Sequence, residues 1–137
     1  RPDMAYFKFA NKIRMGEAIQ IYNHGDMYRD FTYVYDIVTG IVHMLCNSPK
    51  QNELGDRYKV YNIGNHRPEQ LMHFIEVLEK ALGHTARKEY LPMQPGDVYQ
   101  TYADISELQQ DFDFKPNTTI EEGLGKFADW YRMYYQW

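Results

Sequence analysis

Cysteine is nearly missing from this sequence: Cys46 is the only one in 137 residues, so no disulfide can form within the chain. Disulfides are typical of secreted proteins, so this absence fits a reducing compartment, and we expect a cytoplasmic protein. Cys46 lies on the apolar side of a predicted helix, which predicts a buried thiol and not a nucleophile. No run of apolar residues is long enough to cross a membrane.

An excess of positive charge is missing as well. Lys and Arg total 15 against 19 Asp and Glu, and the net charge is −4. A protein that binds nucleic acid through its phosphates needs the opposite balance, so we expect no nucleic-acid partner. The five histidines do not cluster at ligand spacing in the sequence, and we predict no metal site.

Aromatic residues, by contrast, are abundant, at 16% of the chain within a hydrophobic fraction of 44%. A sequence of this composition folds around a core and is not disordered. Residues 131–137 are aromatic on all faces of a helix and include a single basic residue. This favours a helix packed against other parts of the protein over a membrane-surface anchor, so we expect no membrane partner.

Residues 19–40 contain the densest set of structural signals in the chain. These signals predict, in order, a strand around Ile19 and Ile21, a turn over 23–26, an extended segment over 29–34, and a helix capped by Asp36. The pattern places one guanidinium, that of Arg29, beside a turn and a helix start. The planar fork of arginine suits phosphate oxygens.

The rest of the chain alternates between helices and strands. Its patterns predict helices over 4–16, 68–82 and 105–112 and from Thr118 or Thr119 onward, strands over 60–63 and 88–91, and loops over 47–57 and 92–98. This alternation indicates an α/β fold, with too few strands for a complete six- or seven-stranded nucleotide-binding fold. Because the chain also lacks an initiator methionine, we expect a single lobe over residues 1–137, taken from a longer protein.

A glycine pattern lies near the C-terminus. Gly123, Gly125 and Ala128 match the letters of a dinucleotide-binding loop. That loop joins a strand to a helix, whereas here no strand precedes the glycines and charged residues around them indicate a helix. We therefore predict no cofactor site in this chain.

Short segments along the whole chain resemble the C-terminal part of extended short-chain dehydrogenase/reductases that act on nucleotide sugars. They are Tyr22-Asn23-His24-Gly25, Arg29-Asp30-Phe31-Thr32-Tyr33-Val34, Asp36-Ile37, Tyr61-Asn62-Ile63-Gly64-Asn65, Met93-Gln94-Pro95-Gly96-Asp97-Val98 and Thr118-Thr119-Ile120-Glu121-Glu122-Gly123-Leu124. Together they are most similar to the UDP-glucuronate 4-epimerase group of the NAD-dependent epimerase/dehydratase family.

The resemblance implies that the chain is the C-terminal substrate-binding lobe of such an enzyme, with the Rossmann lobe absent. In that family NAD is bound by the N-terminal lobe, oxidises C4 of the sugar and returns the hydride to the other face. The implied partners are a UDP-sugar and the protein's own N-terminal Rossmann lobe. The implied parent is an isomerase and a homodimer, whose subunits meet mainly through the absent lobe.

The resemblance also assigns roles to individual residues. It implies that Arg29 holds the diphosphate, whereas the residues alone favour a surface arginine paired with Asp30 or Asp36. It implies that Asp97 bonds a ribose hydroxyl, where the alternative is a plain turn residue. Many relatives carry arginine in place of Gln94, so the phosphate site of this chain has one cation fewer.

A second group of residues is implied to meet the uracil base. Gln20, Ile21 and Tyr22 match the strand that contacts uracil, largely through main-chain groups. For Tyr22, packing in the core or at an edge is about as well supported as contact with the base.

The catalytic pair of the family is missing. None of the tyrosines is followed four residues later by lysine, so the Tyr-x-x-x-Lys pair that abstracts a proton is absent. We therefore expect no catalysis and no bound NAD from this chain alone. Two alternatives stay open: another UDP-sugar enzyme, such as a 4,6-dehydratase or UDP-glucuronate decarboxylase, and a non-catalytic binding or scaffold protein of the same fold.

Overall fold

The computed structural model describes residues 3–137, which group into two compact units. The first unit comprises the residues up to Arg29, Glu69–Gln100 and Thr119–Trp137, and the second comprises Asp30–Pro68 and Thr101–Thr118. The elements in chain order are α1 (Ala5–Met15), β1 (Ala18–Ile21), a 3-10 turn (Tyr22–Gly25), β2 (Tyr28–Arg29), α2 (Val34–Leu45), β3 (Glu69–Gln70), α3 (Leu71–Leu82), β4 (Arg87–Tyr90), α4 (Ser106–Phe112) and α5 (Ile120–Tyr135). The fold is thus mixed α/β with short strands, as predicted, whereas a single lobe over residues 1–137 stays a prediction.

The first unit contains two pairs of strands. β1 pairs in parallel with β4, and β2 pairs antiparallel with β3. These pairings confirm the strands predicted around Ile19 and over 88–91. Ile19 and Ile21 are fully buried while Gln20 between them is exposed, because successive side chains of a strand point to opposite faces.

Helices α3 and α5 supply most of the core of the first unit. Their buried side chains are Phe74, Ile75, Leu78, Leu82, Ile120, Leu124, Ala128 and Tyr131. As predicted, α3 ends at Gly83, whose φ of 74° lies in the left-handed region that favours glycine. The predicted start of α5 is also confirmed, because the side chain of Thr119 accepts a hydrogen bond from the main-chain N of Glu122 at 3.3 Å.

Two predicted helix starts in the first unit are wrong. The helix predicted from residue 68 begins at Leu71, because Glu69 and Gln70 extend as β3 to pair with β2. The sequence also predicts Asp3 as the cap of the first helix. In the structure Met4 occupies the N-cap position of α1, so Asp3 is not the cap.

In the second unit, Asp36 is not the N-cap of α2. The helix begins at Val34, with Tyr33 as its N-cap. The Asp36 residue is only 9% exposed. Its carboxylate accepts hydrogen bonds from the main-chain N and from the hydroxyl of Thr118, both at 3.0 Å. Asp36 therefore joins the start of α2 to the segment that ends the second unit.

Two predicted extended segments are also wrong. Residues 60–63 form no strand, and no strand of the described chain lies beside them to supply the hydrogen bonds that a sheet requires. The segment predicted over 29–34 is a strand only at Arg29, the last residue of β2, and is helical from Val34.

The apolar face of α2 is exposed in this chain. The sequence predicts that Ile37, Ile41, Met44 and Leu45 face a core, yet the buried residues of α2 are Asp36 and Gly40. The exposed large apolar side chains, which we call the α2 apolar face, are Val34, Tyr35, Val38, Ile41, Val42 and Leu45. Cys46, which follows α2, is exposed as well, so the prediction of a buried thiol is wrong.

Replacing Tyr131 by phenylalanine tests the packing of α5 on α1. Tyr131 is fully buried, and its hydroxyl donates to Asn11 Oδ1 at 2.6 Å. We expect Tyr131→Phe to lower the free energy of unfolding by about 1 kcal/mol at pH 7, because Asn11 Oδ1 loses its donor. Urea unfolding followed by circular dichroism measures this change.

The same variant should alter the response to high pH. Burial raises the pKa of Tyr131 above its ordinary value. The stability that this group contributes is therefore complete below a pH of about 10 and is lost as the pH rises further. The difference in unfolding free energy between the wild type and Tyr131→Phe should shrink above that pH. Exposed Tyr134 offers the control Tyr134→Phe, and an equal difference at pH 7 and pH 11 would contradict the assignment.

Candidate functional site

The guanidinium of Arg29 is fixed by the first unit. Arg29 ends β2, which pairs with β3 on one side. Its Nη1 donates to the main-chain oxygens of Tyr28 at 2.8 Å and Tyr99 at 3.2 Å. Its Nη2 donates to Asp97 Oδ1 at 2.9 Å. The Arg29 side chain is 23% exposed, so it remains accessible to an anion in solution.

Asp97 reaches Arg29 from a turn that lies 68 residues further along the chain. The main-chain N of Asp97 donates to the oxygen of Gln94 at 3.2 Å, and Gly96 within the turn has a φ of 82°. Asp97 Oδ1 also accepts from the main-chain N of Val98 at 2.9 Å, which orients the carboxylate. The sequence predicted both residues for one site, and the structure brings them into contact.

The ion pair of Arg29 differs from the alternative that the sequence left open. Asp30 accepts hydrogen bonds from the main-chain N of His66 at 3.1 Å and of Ala103 at 3.0 Å. The carboxylate of Asp36 is engaged by Thr118. The alternative of a pair with Asp30 or Asp36 is therefore wrong, and Asp97 is the partner.

The residues predicted to meet a base lie on β1 and in the turn that follows it. Gln20 is exposed, and Tyr22 is half-buried at the start of the 3-10 turn. Ile21 is fully buried, and its oxygen accepts from the main-chain N of Leu91 at 2.9 Å. The Ile21 side chain therefore serves packing. No hydrogen bond within residues 3–137 links these three side chains to Arg29 or Asp97, and their binding role stays a prediction.

Sequence reasoning missed two residues beside this pair. The hydroxyl of Tyr99 donates to Asp26 Oδ1 at 3.0 Å, and this bond raises the pKa of Tyr99. The ring centroids of Tyr28 and Tyr99 are 5.9 Å apart. The signal in the sequence is weak, since Asp26 belongs to a run of turn formers and Tyr99 follows a loop. Their partnership depends on a contact across 73 residues.

The chemistry that these groups can perform is binding. A guanidinium held by two carbonyl oxygens and a carboxylate can bind an anion, but the site holds no pair of groups arranged as a nucleophile and its base. Within residues 3–137, no group of three His, Cys, Asp or Glu side chains could hold a metal ion. None of the described helices combines the length and apolar character needed to cross a membrane.

Comparison with known proteins places the chain in a family. The sequence profile of the family described as GDP-mannose 4,6 dehydratase matches residues 4–127. The chain belongs to this family.

Two relatives resemble the chain over nearly its whole length. Protein CapI of Staphylococcus aureus is 50% identical, with 99% of this chain and 44% of the relative covered. A probable UDP-glucuronate 4-epimerase of Rhizobium meliloti is 40% identical, with 99% of this chain and 43% of the relative covered. The chain thus spans less than half the length of these relatives.

A solved structure shares the fold of the chain. A UDP-glucuronic acid 4-epimerase from Bacillus cereus, in complex with UDP-glucuronic acid and NAD, superimposes with a TM-score of 0.83 at 30% identity. The match covers 98% of this chain and 41% of that one. The α/β fold of the chain therefore also occurs as a part of that longer protein.

Proposed function

We propose that this chain is the UDP-sugar-binding part of a longer, cytoplasmic, NAD-dependent nucleotide-sugar epimerase of the UDP-glucuronate 4-epimerase type. The observation that supports this most directly is the Arg29–Asp97 pair, in which a fixed and accessible cation stands 2.9 Å from a carboxylate. The two roles required to hold a nucleoside diphosphate, a cation for phosphate and an acceptor for a ribose hydroxyl, are thus side by side. The relatives named UDP-glucuronate 4-epimerase support the choice of substrate.

Under this proposal the chain contributes binding energy and not chemistry. Arg29 binds the diphosphate oxygens through charge-assisted hydrogen bonds, while its Nη1 stays held by the oxygens of Tyr28 and Tyr99. Asp97 orients the ribose, and the turn at Gln94 closes beside it. Gln20, Ile21 and Tyr22 offer main-chain groups to uracil. Energy from these non-reacting parts of the substrate positions the sugar for reaction elsewhere in the enzyme.

The residues of this chain do not fit a dinucleotide cofactor. Gly123 and Gly125, which match the letters of a cofactor loop, lie within α5 and not in a turn between a strand and a helix. NAD, which would supply hydride transfer, is therefore assigned to an N-terminal Rossmann lobe outside this chain. No step of that transfer involves a residue described here.

The exposed α2 apolar face supports the existence of such a lobe. Leu45 is 79% exposed and Tyr35 is 68% exposed on the same helix. A continuous apolar face of this kind marks a surface that another protein part covers. We propose that the N-terminal lobe of the same protein covers it, and that two copies of the complete protein form a homodimer through that lobe.

A specific observation favours one alternative function. The family profile that matches the chain is described as GDP-mannose 4,6 dehydratase, and a dehydratase removes water from its substrate. A dehydratase, and a UDP-glucuronate decarboxylase, would use the same diphosphate site. These functions differ from the epimerase in their products, since one releases water and the other carbon dioxide. A non-catalytic scaffold protein would give no product.

The products formed from UDP-glucuronate test the proposal. We expect the full-length protein to convert UDP-glucuronate into its 4-epimer, and the isolated chain to contain no NAD and form no product. Chromatography of the nucleotide sugars and the absorbance of enzymatically reduced NAD measure both.

Three outcomes would overturn parts of this proposal. Loss of carbon dioxide from UDP-glucuronate would show that the protein is a decarboxylase and not an epimerase. Loss of water from UDP-glucose, which has the C6 hydroxyl that UDP-glucuronate lacks, would show that it is a 4,6-dehydratase. Stoichiometric NAD in the purified isolated chain would contradict the assignment of the cofactor to the absent lobe. The full-length protein serves as the control for NAD recovery during purification.

A further inference from the structure

The contact between Asp97 and Arg29 depends on how the segment after Asp97 is attached to β2. The main-chain N of Tyr28 donates to the oxygen of Tyr99 at 3.0 Å, and a β-bridge joins Tyr28 to Gln100. These attachments use main-chain atoms, which every residue possesses. The Tyr99 side chain makes one hydrogen bond within the described chain. Its hydroxyl donates to Asp26 Oδ1 at 3.0 Å.

Tyr99 therefore contacts the Arg29 region at three points. Its hydroxyl binds Asp26, which precedes β2. Its ring lies against Tyr28, at a centroid distance of 5.9 Å. Its main-chain oxygen accepts a hydrogen bond from Arg29 Nη1 at 3.2 Å. Asp97, two residues earlier in the chain, accepts from Arg29 Nη2 through its carboxylate. A shift of residue 99 would move both acceptors that hold the guanidinium from this side.

We propose that Tyr99 is a positioning residue for the diphosphate site, with Asp26 as its anchor. This inference rests on the proposed function, because it assumes that Arg29 binds diphosphate. Tyr99 itself does not touch the substrate. Its hydroxyl bond to Asp26 keeps the 97–100 segment beside β2, so that Arg29 meets the diphosphate in one orientation and not in several. Restricting the guanidinium in this way lowers the entropy that binding must remove.

Titration calorimetry of the full-length protein with UDP and with uridine tests the inference. The dissociation constant for uridine divided by that for UDP isolates the contribution of the diphosphate, and a lower ratio means a weaker preference for UDP. We expect Tyr99→Phe to lower this ratio about twofold to tenfold, the equivalent of one hydrogen bond. Asp26→Ala should lower it equally, and Asp26→Asn should restore part of it, because the amide oxygen can still accept. Tyr134→Phe, which removes an exposed hydroxyl on α5, is the matched control.

A double variant separates positioning from general damage to the fold. If Tyr99 acts through Arg29, adding Tyr99→Phe to Arg29→Ala should change the ratio no further. A purely structural role would lower the melting temperature and weaken uridine and UDP alike, which would overturn the inference.

The result also distinguishes this inference from the proposed function. If Arg29→Ala lowers the ratio and Tyr99→Phe does not, Tyr99 has no positioning role and the proposed function stands. If Arg29→Ala leaves the ratio unchanged, the proposed diphosphate site itself is wrong.

Discussion

Arg29→Ala is expected to lower kcat/KM of the full-length enzyme for its UDP-sugar about tenfold to a hundredfold. A charge-assisted hydrogen bond in a partly desolvated site contributes roughly 1.5–3 kcal/mol, and about 1.4 kcal/mol corresponds to one decade. Gln94 is uncharged and cannot replace the cation. The loss should appear mainly as a higher KM. The diphosphate does not change in the reacting step, so it is bound about equally strongly in the ground state and in the transition state. Steady-state kinetics measures both constants.

Two further variants define what Arg29 contributes. Arg29→Lys should recover part of the loss, because an ammonium supplies charge without the two-pronged contact. The structure adds a test through Asp97. In the wild type its carboxylate lies 2.9 Å from Arg29 Nη2, and in Arg29→Ala it has lost this cation. The double variant Arg29→Ala with Asp97→Asn should therefore bind UDP more tightly than Arg29→Ala alone, since a charge that repels the diphosphate is gone. An Arg29→Ala protein with intact UDP affinity and a lower melting temperature would show that the ion pair is only structural.

Asp36→Ala is expected to produce the largest loss of stability, about 3 kcal/mol of unfolding free energy. The carboxylate is buried and accepts two hydrogen bonds from Thr118, and removing it leaves the main-chain N of Thr118 without its acceptor. Asp36→Asn should lose less, because the amide oxygen can accept one of the two bonds. Asp56→Ala in an exposed loop of the same unit should change stability by no more than about 0.5 kcal/mol. Urea unfolding measures all three variants.

Thr118→Val distinguishes this role from that of a helix cap. If Asp36 joins Thr118 to α2, removing the hydroxyl of Thr118 should reproduce part of the loss, and combining it with Asp36→Ala should add little. If Asp36 merely capped the helix, the two substitutions would add independently. Additive losses would therefore contradict the contact that the structure shows.

The elements that the sequence predicts well are those with local causes. The spacing of Phe74, Leu78 and Leu82 fixes the inward face of α3, and Gly83 ends that helix through its own backbone preference. Thr119 caps α5 through a bond to a residue three positions later. Each of these signals lies within a few residues of the helix that it predicts, so the helix can be predicted without its distant partners in the fold.

The predictions that fail depend on distant partners. Asp36 has the residue type of a cap, but its partner Thr118 lies 82 residues away. Residues 60–63 have the composition of a strand, yet a strand forms only beside another strand. The α2 apolar face reads as a core surface because its periodicity is that of a buried helix, although nothing in the described chain covers it.

In the candidate site, too, the contacts between distant residues could not be predicted from local sequence patterns. The resemblance to nucleotide-sugar enzymes selects Arg29 and Asp97 from motifs that are far apart in sequence, and the structure joins them. The residues alone favoured nearby acids, Asp30 or Asp36, as the partners of Arg29. No local pattern marks Tyr99, because its bond to Asp26 exists only once the 97–100 segment lies along β2.

The most direct test of the account is the affinity of the full-length protein for UDP compared with uridine, before and after Arg29→Ala. Titration calorimetry gives both dissociation constants under one set of conditions. We expect the wild type to prefer UDP and Arg29→Ala to lower this preference about tenfold or more, with uridine affinity unchanged. A preference for UDP that survives Arg29→Ala intact would contradict the claim that this lobe holds the diphosphate through Arg29.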